Sequence, residues 1–442
     1  MSDADVTAPP SGATPPPERR RSPAATAGVP RLAWALPRVY VVAGIRLALP
    51  LLVLPLVASR VGAEEFGRLS FILVWSGLLS LLVEGGFLAA ATRLAVDADP
   101  PRQLQLARQV FSARLVLSLP VAVLALAVVM LVGDSRRSLA DVCAITALAV
   151  SLGWPATWYL QATHQLGRWA RIEFLVYGAL LLGAGLAARS VAAFVMMQVL
   201  ASSLLAVFGW LWLRRDLCAH GAAPRLWAAE EIGAGLRLGW KMLPVSIAGA
   251  AYSFALPAAA SAQMPRVELG VYYMADRIAR ALLAGADPVF SVVYPRIVAL
   301  FRASPQAALR YAFRWAVVGA CTGAVLLLLV EAFWPSFAAL LAVHAGAIDI
   351  SSVHRVLFIL AWLWPMLLGW KFFGYWMLGS GRYDMAYRAA AFVGAIAGVL
   401  AAATWGGAAG AVGLAWTALG VEALVIAVEL AGVLLTRPSW RA

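Results

Sequence analysis

The sequence predicts an all-α integral membrane protein of about twelve transmembrane helices, and three observations predict it. Apolar stretches of roughly 18 to 25 residues recur along nearly the whole chain, each long enough to cross about 30 Å of hydrocarbon as a helix. Of the 442 residues, 62% are hydrophobic and 13% charged, with a mean hydropathy of +0.82, which no soluble domain of this size sustains. The basic residues alternate between rich and poor connectors, as positive-inside sorting requires. Backbone groups in lipid must be satisfied internally, and the unbroken apolar runs lack the alternation of a barrel, so the spans are helices.

Residues 1–36 are rich in Pro, Ala and Arg, include Arg19-Arg20-Arg21, and read as a disordered cytoplasmic tail. Six helices are expected over Tyr40 to Ser59, Leu69 to Leu94, Val110 to Val132, Leu139 to Ala162, Phe174 to Ala188 and Val191 to Leu213. Six more follow over Trp240 to Ala262, Val271 to Leu300, Ala312 to Phe333, Val356 to Leu378, Tyr387 to Thr404 and Ala411 to Leu435. The chain thus divides into the tail, an N-terminal six-helix bundle at 37–213, a cytoplasmic linker at 214–239, a C-terminal six-helix bundle at 240–436 and a cytoplasmic end at 437–442. The linker segment from Arg225 to Leu238 is weakly amphipathic and suits the inner interface.

One set of connectors, with Arg93, Arg102, Arg108, Arg168, Arg171, Arg214, Arg215 and Arg310, carries together with the tail roughly two dozen basic residues; the opposite set, with Arg60, Arg68, Arg136, Arg137, Arg189, Arg266 and Arg355, carries about seven. Both termini are therefore expected in the cytoplasm. The net charge of +13 is dispersed over these connectors, which argues against nucleic acid as a partner. The three cysteines form no CxxC pair and the four histidines have no metal-ligand spacing, so neither disulfide nor metal is implied. Two fragment pairs suggest an internal repeat: Glu65-Phe66-Gly67 with Glu268-Leu269-Gly270, and Trp158-Tyr159-Leu160 with Trp376-Met377-Leu378. Halves of six helices enter the membrane in the same direction and relate by an axis along its normal, with a substrate cavity expected between them.

Ionisable residues inside a span each cost about 2.5–3.5 kcal/mol or more and need a partner, a wet cavity or a role. Arg46 and Lys371 lie near mid-helix and are candidates for a cavity that contacts an anion. Arg277 and Arg280, with Asp276, stand in the first half of the eighth helix, either in that cavity or as a pair reaching the interface. Glu84, Asp287 and Asp276 are candidate counter-ions or coupling sites; the residue types admit both. Glu331 and Glu429, near helix ends, read as snorkelling, and Trp154, Trp158 and Tyr159 as interfacial anchors. Pro50, Pro120, Pro155, Pro257, Pro288 and Pro365 permit kinks. No catalytic residue, cofactor or nucleotide loop is expected.

Four segments carry a family resemblance: Arg60-Val-Gly-Ala-Glu-Glu-Phe-Gly-Arg-Leu-Ser followed by Glu84-Gly-Gly-Phe and Ala91-Thr-Arg; Trp154-Pro-Ala-Thr-Trp-Tyr-Leu-Gln-Ala-Thr-His-Gln-Leu-Gly-Arg; Glu268-Leu-Gly-Val-Tyr-Tyr-Met-Ala-Asp-Arg-Ile running into Val293-Tyr-Pro-Arg; and Gly379-Ser-Gly-Arg-Tyr-Asp. In this order the chain resembles the polysaccharide biosynthesis or oligosaccharide flippase (Wzx-type) family of the multidrug/oligosaccharidyl-lipid/polysaccharide (MOP) exporter superfamily. The resemblance implies a MATE-like fold and a transporter rather than an enzyme. It implies a cargo of undecaprenyl-diphosphate-linked oligosaccharide, moved from the inner to the outer leaflet of the bacterial inner membrane for O-antigen, capsule or exopolysaccharide synthesis. Membrane lipids and a polysaccharide polymerase with other assembly proteins are the implied partners, and H+ or Na+ coupling or the membrane potential alone the implied drive.

An ion-coupled antiporter for drugs or metabolites is the alternative within the superfamily. A membrane polymerase or ligase is disfavoured, because the outer connector from Pro335 to His354 is short and poor in acid/base pairs. The orientation is checked with phosphatase fusions: those placed after residues 136 and 265 should be active, and those after 165 and 380 inactive.

Overall fold

The computed structural model describes residues 53–96, 98–132, 138–163, 165–219, 225–240, 242–243, 254–345, 348–380 and 383–435. The tail, Arg46, most of the first expected helix and residues 241 and 244–253 of the seventh lie outside the described residues. The secondary structure among those described is helical throughout. Helix α1 ends over residues 53–61, and α2 (Ala63–Glu84) and α3 (Phe87–Ala95) form the second span. Then come α4 (Pro100–Leu131), α5 (Leu139–Gly153), α6 (Thr157–Ala162), α7 (Leu166–Ala187) and α8 (Val191–Ala219). The linker helix α9 (Ile232–Trp240) leads to α10 (Leu256–Ala260), α11 (Arg266–Ala284), α12 (Asp287–Ala303), α13 (Pro305–Ala345), α14 (Ile350–Ala361), α15 (Leu363–Ser380), α16 (Asp384–Ala401) and α17 (Gly410–Leu435).

Nine helical stretches of the described residues are long and apolar enough to cross a membrane, and they match nine of the twelve expected spans. The eighth, α11 with α12, is not among them because its charges lower its hydropathy. Local rules explain the starts. Asp99 accepts from the Arg102 N–H ahead of Pro100 and Pro101, Ser138 accepts from Ala140 N–H, and Asp349 from Ser351 N–H. The Ser352 and Ser351 hydroxyls hold the Asp349 carboxyl at about 2, well below its ordinary range.

Four expected spans are interrupted, the tenth at Trp362 between α14 and α15. The second breaks at Gly85 and Gly86, both in the left-handed region at φ 65° and 75°, where a residue with a side chain is strained. The fourth breaks over Trp154-Pro155-Ala156, and the eighth at Gly285-Ala286, just before Pro288 opens α12. Pro257 and Pro365 likewise sit in first helical turns, whereas Pro120 lies inside the continuous α4. The amphipathic linker lies along α4: Gln105 and Gln109 donate to Glu231, and Arg108 to the Arg225 carbonyl.

Across the two halves, α2 makes the principal contacts, with α10 and α11. These run from the upper end, marked by the turns at residues 62 and 261–265, down to Gly77. A Cβ on Gly67 would lie 2.0 Å from the Arg266 carbonyl oxygen, and one on Gly270 would lie 3.3 Å from Gly67 Cα. The Arg266 guanidinium rests 3.8 Å over the Phe71 ring, Trp75 donates to Ser261 Oγ at 3.1 Å, and Phe254 fills the space beside Gly77. Below that level α12 packs on α13 and α15 of its own half. Among the described residues the contacts between the halves are concentrated at this upper end, with a further approach lower down where Gly86 meets the Met242 and Leu243 backbone.

Gly67→Val should force the two backbones apart, costing about 1–3 kcal/mol. It is expected to lower the melting temperature of the purified protein, whereas Gly233→Ala, where an added Cβ meets nothing within 4 Å, should leave it unchanged.

Candidate functional site

The second and eighth spans are both interrupted, and charged side chains gather at the interruptions. Adding 203 to the positions of Glu65, Gly67 and Glu84 gives Glu268, Gly270 and Asp287, so both breaks place a carboxylate at the equivalent position of the two halves. Each interruption frees backbone polar groups that lipid cannot satisfy.

The two carboxylates do different work. Glu84 accepts from the backbone N–H of Gly86 at 2.9 Å and from that of Leu88, capping the start of α3. Its charge also acts on Arg114, a fully buried cation that donates to the Trp154 and Pro155 carbonyls at 2.8 and 2.9 Å. Those carbonyls are freed by the break between α5 and α6, and Trp210 Nε1 donates to the first of them as well. One cation and one anion therefore satisfy two helix breaks in the N-terminal half.

Asp287 opens α12 and its carboxylate pairs with Lys371 of α15 at 3.1 Å, with side chains 62% and 41% exposed. Lys371 also lies 4.1 Å over the Phe290 ring. About 14 Å of helix separates Lys371 from the end of α15 at Ser380, and about 24 Å of α12 separates Asp287 from Ala303. Hydrocarbon would exact the cost that keeps such residues out of spans, so a pair this exposed meets water or the headgroup region. One turn above the break, Arg280 Nε donates to both Asp276 oxygens at 2.8 and 2.9 Å, and Asp276 is 3% exposed. Arg277 stands apart from both pairs: its guanidinium lies 4.7 Å from the Tyr273 ring centroid and 5.3 Å from that of Phe254, at the lower edge of the upper contact between the halves.

The structure thus brings together Lys371 with Asp287 and Arg280 with Asp276, and sets Glu84 and Arg114 on the backbone groups of two helix breaks. Arg114 was not foreseen, because it stands only four residues into the expected helix Val110 to Val132. The helix begins at Pro100, and the Asp99-Pro100-Pro101 start signal is what would have placed Arg114 about four turns inside.

Two readings are corrected. Glu429 does not reach the interface: it is 4% exposed and accepts from Trp370 Nε1, because α17 turns this face toward α15. Trp158 and Tyr159 are buried, since the broken fourth span tucks α6 under the bundle, and Tyr159 donates to Asp216 at 2.6 Å. A separate cavity of about 710 Å3 lies between α4, α5 and α8, walled by Phe111, Val150 and Trp210 and rimmed by Arg214; none of the candidate residues lines it. No cluster of three or more metal-ligating side chains occurs among the described residues.

A family model described as polysaccharide biosynthesis protein matches residues 39–301, well over half of the chain. The chain belongs to that family. Its fold is similar to that of the lipid II flippase MurJ in an inward closed conformation, with a TM-score of 0.69 at 12% identity over 89% of this chain and 87% of that one. It is also similar to a multidrug resistance MATE family transporter of the MOP superfamily, inward-facing, with a TM-score of 0.55 at 14% identity over 88% and 96%. An outward-facing structure of such a transporter gives 0.51 at 16% identity over 91% and 95%. No curated protein sequence matches. The all-α membrane fold of two six-helix bundles expected from the motifs is therefore the fold of this family member, and identities this low speak to fold alone.

Arg114→Leu should leave the Pro155 carbonyl without its charged donor and the Trp154 carbonyl with Trp210 alone, at about 1–3 kcal/mol for the unsatisfied buried group. A lower melting temperature and a smaller yield of monodisperse protein are expected, with Arg114→Lys intermediate.

Proposed function

We propose that this polysaccharide biosynthesis protein is a flippase, which carries a lipid-diphosphate-linked oligosaccharide from the inner to the outer leaflet of the bacterial inner membrane for surface polysaccharide synthesis. The observation that carries the reading is the Lys371–Asp287 pair, half-exposed at depth beside a helix interruption and below the upper contact between the halves. A lipid diphosphate bearing sugars cannot cross hydrocarbon unaided. It needs a fixed cation in a wet cavity and a lateral exit for its tail. Lys371 supplies the cation, exchanging Asp287 for a phosphate oxygen, and Arg277 and Arg280 of α11 line the path above it. Arg46, on the other half in sequence, completes the cationic set under this proposal.

With both termini cytoplasmic, the contact between α2 and α11 lies on the outer side, and cargo is proposed to load from the inner side. Outward movement of two negative charges down an inside-negative potential of 100 mV is favoured by about 4.6 kcal/mol, so ATP is not required. A polysaccharide polymerase and other assembly proteins are proposed to receive the flipped product.

Deletion of the gene should trap the undecaprenyl-diphosphate-linked oligosaccharide on the cytoplasmic leaflet; normal surface glycan in the deletion strain would sink the reading. Lys371→Ala and Arg46→Ala should each lose complementation by tenfold or more at wild-type protein levels, while Lys371→Arg retains it, as scored by surface glycan per cell.

A further inference from the structure

The Lys371–Asp287 pair does not stand alone on its face. Tyr294 lies seven residues beyond Asp287 on α12, two turns along the same helical face, and Tyr375 lies one turn beyond Lys371 on α15. The two tyrosine rings approach at 4.8 Å between centroids with planes inclined at 48°. Phe290 bridges the ends of the group, 6.0 Å from Tyr375 and 4.1 Å from the Lys371 ammonium. Ion pair and tyrosines therefore form one stripe, about 10 Å long measured along α12.

The stripe is open at both ends. Asp287 is 62% and Tyr294 37% exposed, and neither tyrosine hydroxyl has a hydrogen-bond partner among the described residues. An unpartnered phenol facing hydrocarbon would forgo a hydrogen bond that water or a ligand supplies, so the face that exposes Asp287 and Lys371 to water also exposes the tyrosines. The other aromatic groups of this half differ: Trp364 donates to the Ala279 carbonyl and Trp370 to Glu429, and both Phe372 and Trp376 are buried.

A cation one helical turn from two amphipathic rings is the chemistry that recognises a sugar joined to a phosphate. The C–H face of a pyranose packs on an aromatic ring, its hydroxyls exchange hydrogen bonds with phenols and a carboxylate, and the phosphate meets the ammonium. The i, i+4 spacing of Lys371 and Tyr375, about 6 Å, suits the span from a phosphate to the ring it carries. The geometry points to a sugar-1-phosphate subsite in which Lys371 holds the phosphate next to the glycan and Tyr294 with Tyr375 holds the first sugar. This rests on the flippase reading and adds what it lacks, a means of telling a glycosylated carrier from a bare one.

The test uses the full chain in nanodiscs and two probes, undecaprenyl diphosphate and undecaprenyl diphosphate carrying N-acetylglucosamine. Wild type should bind the sugar-bearing probe about tenfold more tightly. Tyr294→Ala and Tyr375→Ala should abolish that preference while leaving affinity for the bare probe within about twofold; Lys371→Ala should weaken both probes about tenfold. Where an alanine variant is not monodisperse, Tyr294→Phe and Tyr375→Phe keep the rings and should still reduce the preference about threefold. Equal binding of the two probes by wild type, or tyrosine variants that keep the preference, would overturn the subsite and leave the flippase reading standing. Wild type that binds neither probe would overturn both.

Discussion

Gly67 and Gly270 cross so closely that neither tolerates a side chain, and the separation of the two halves follows from that contact. Backbone against backbone is the tightest approach two helices can make, and in a membrane, where lipid is as apolar as leucine, close packing is what drives helices together. The crossing pins α2 to α11 near one end only. Lower down, Phe254 fills the space beside Gly77, and among the described residues Gly86 comes up against the Met242 and Leu243 backbone. The two glycines end matched tripeptides, Glu65-Phe66-Gly67 and Glu268-Leu269-Gly270, so the repeat axis passes close to the contact it produces.

The helix breaks impose a second constraint. Each break frees backbone donors or acceptors that lipid cannot satisfy. In the N-terminal half, Glu84 and Arg114 take up those groups, at 2.9 Å to the Gly86 N–H and at 2.8 and 2.9 Å to two carbonyls. Both charges are consumed by the architecture. In the C-terminal half the break at Gly285-Ala286 uses Pro288, which lacks an N–H to satisfy, so Asp287 is released to meet a side chain of another helix. The same repeat position thus gives a structural carboxylate in one half and a paired, exposed one in the other.

That difference explains how far the sequence could be read. Hydropathy sees continuous apolar composition, and it finds span after span because cost in lipid is additive along the chain. The repeat fragments were legible because glycine at a close crossing admits no substitute. The breaks were not, since Gly85-Gly86 and Trp154-Pro155-Ala156 sit within stretches whose mean hydropathy stays high, and a window long enough to detect a span averages across a short interruption. Arg114 and Glu429 were misplaced for a related reason. Depth was judged by distance from the expected helix end, whereas burial depends on what packs over that face, the Trp154-Pro155 turn in one case and α15 in the other. Partners such as Lys371 and Asp287, 84 residues apart, are joined only by tertiary structure.

Asymmetry between pseudo-equivalent halves has a mechanical consequence. If both carboxylates capped helices, neither half would carry a charge free to change partners as the halves rock. If both were exposed, the N-terminal break would lose its cap and Arg114 its counter-charge, leaving a buried cation that costs several kcal/mol in an apolar interior. With Glu84 committed, the N-terminal half stays rigid around its two breaks. With Asp287 bound only to an exposed lysine, the C-terminal half keeps a salt bridge whose net strength in water is modest, about 0–1 kcal/mol, and which an incoming anion displaces at little cost. Under the proposed flippase function, a weak pair at Lys371 and Asp287 beside a strong pair at Asp276 and Arg280 is the arrangement that would let a cation bind cargo and release it without unfolding the helix that holds it.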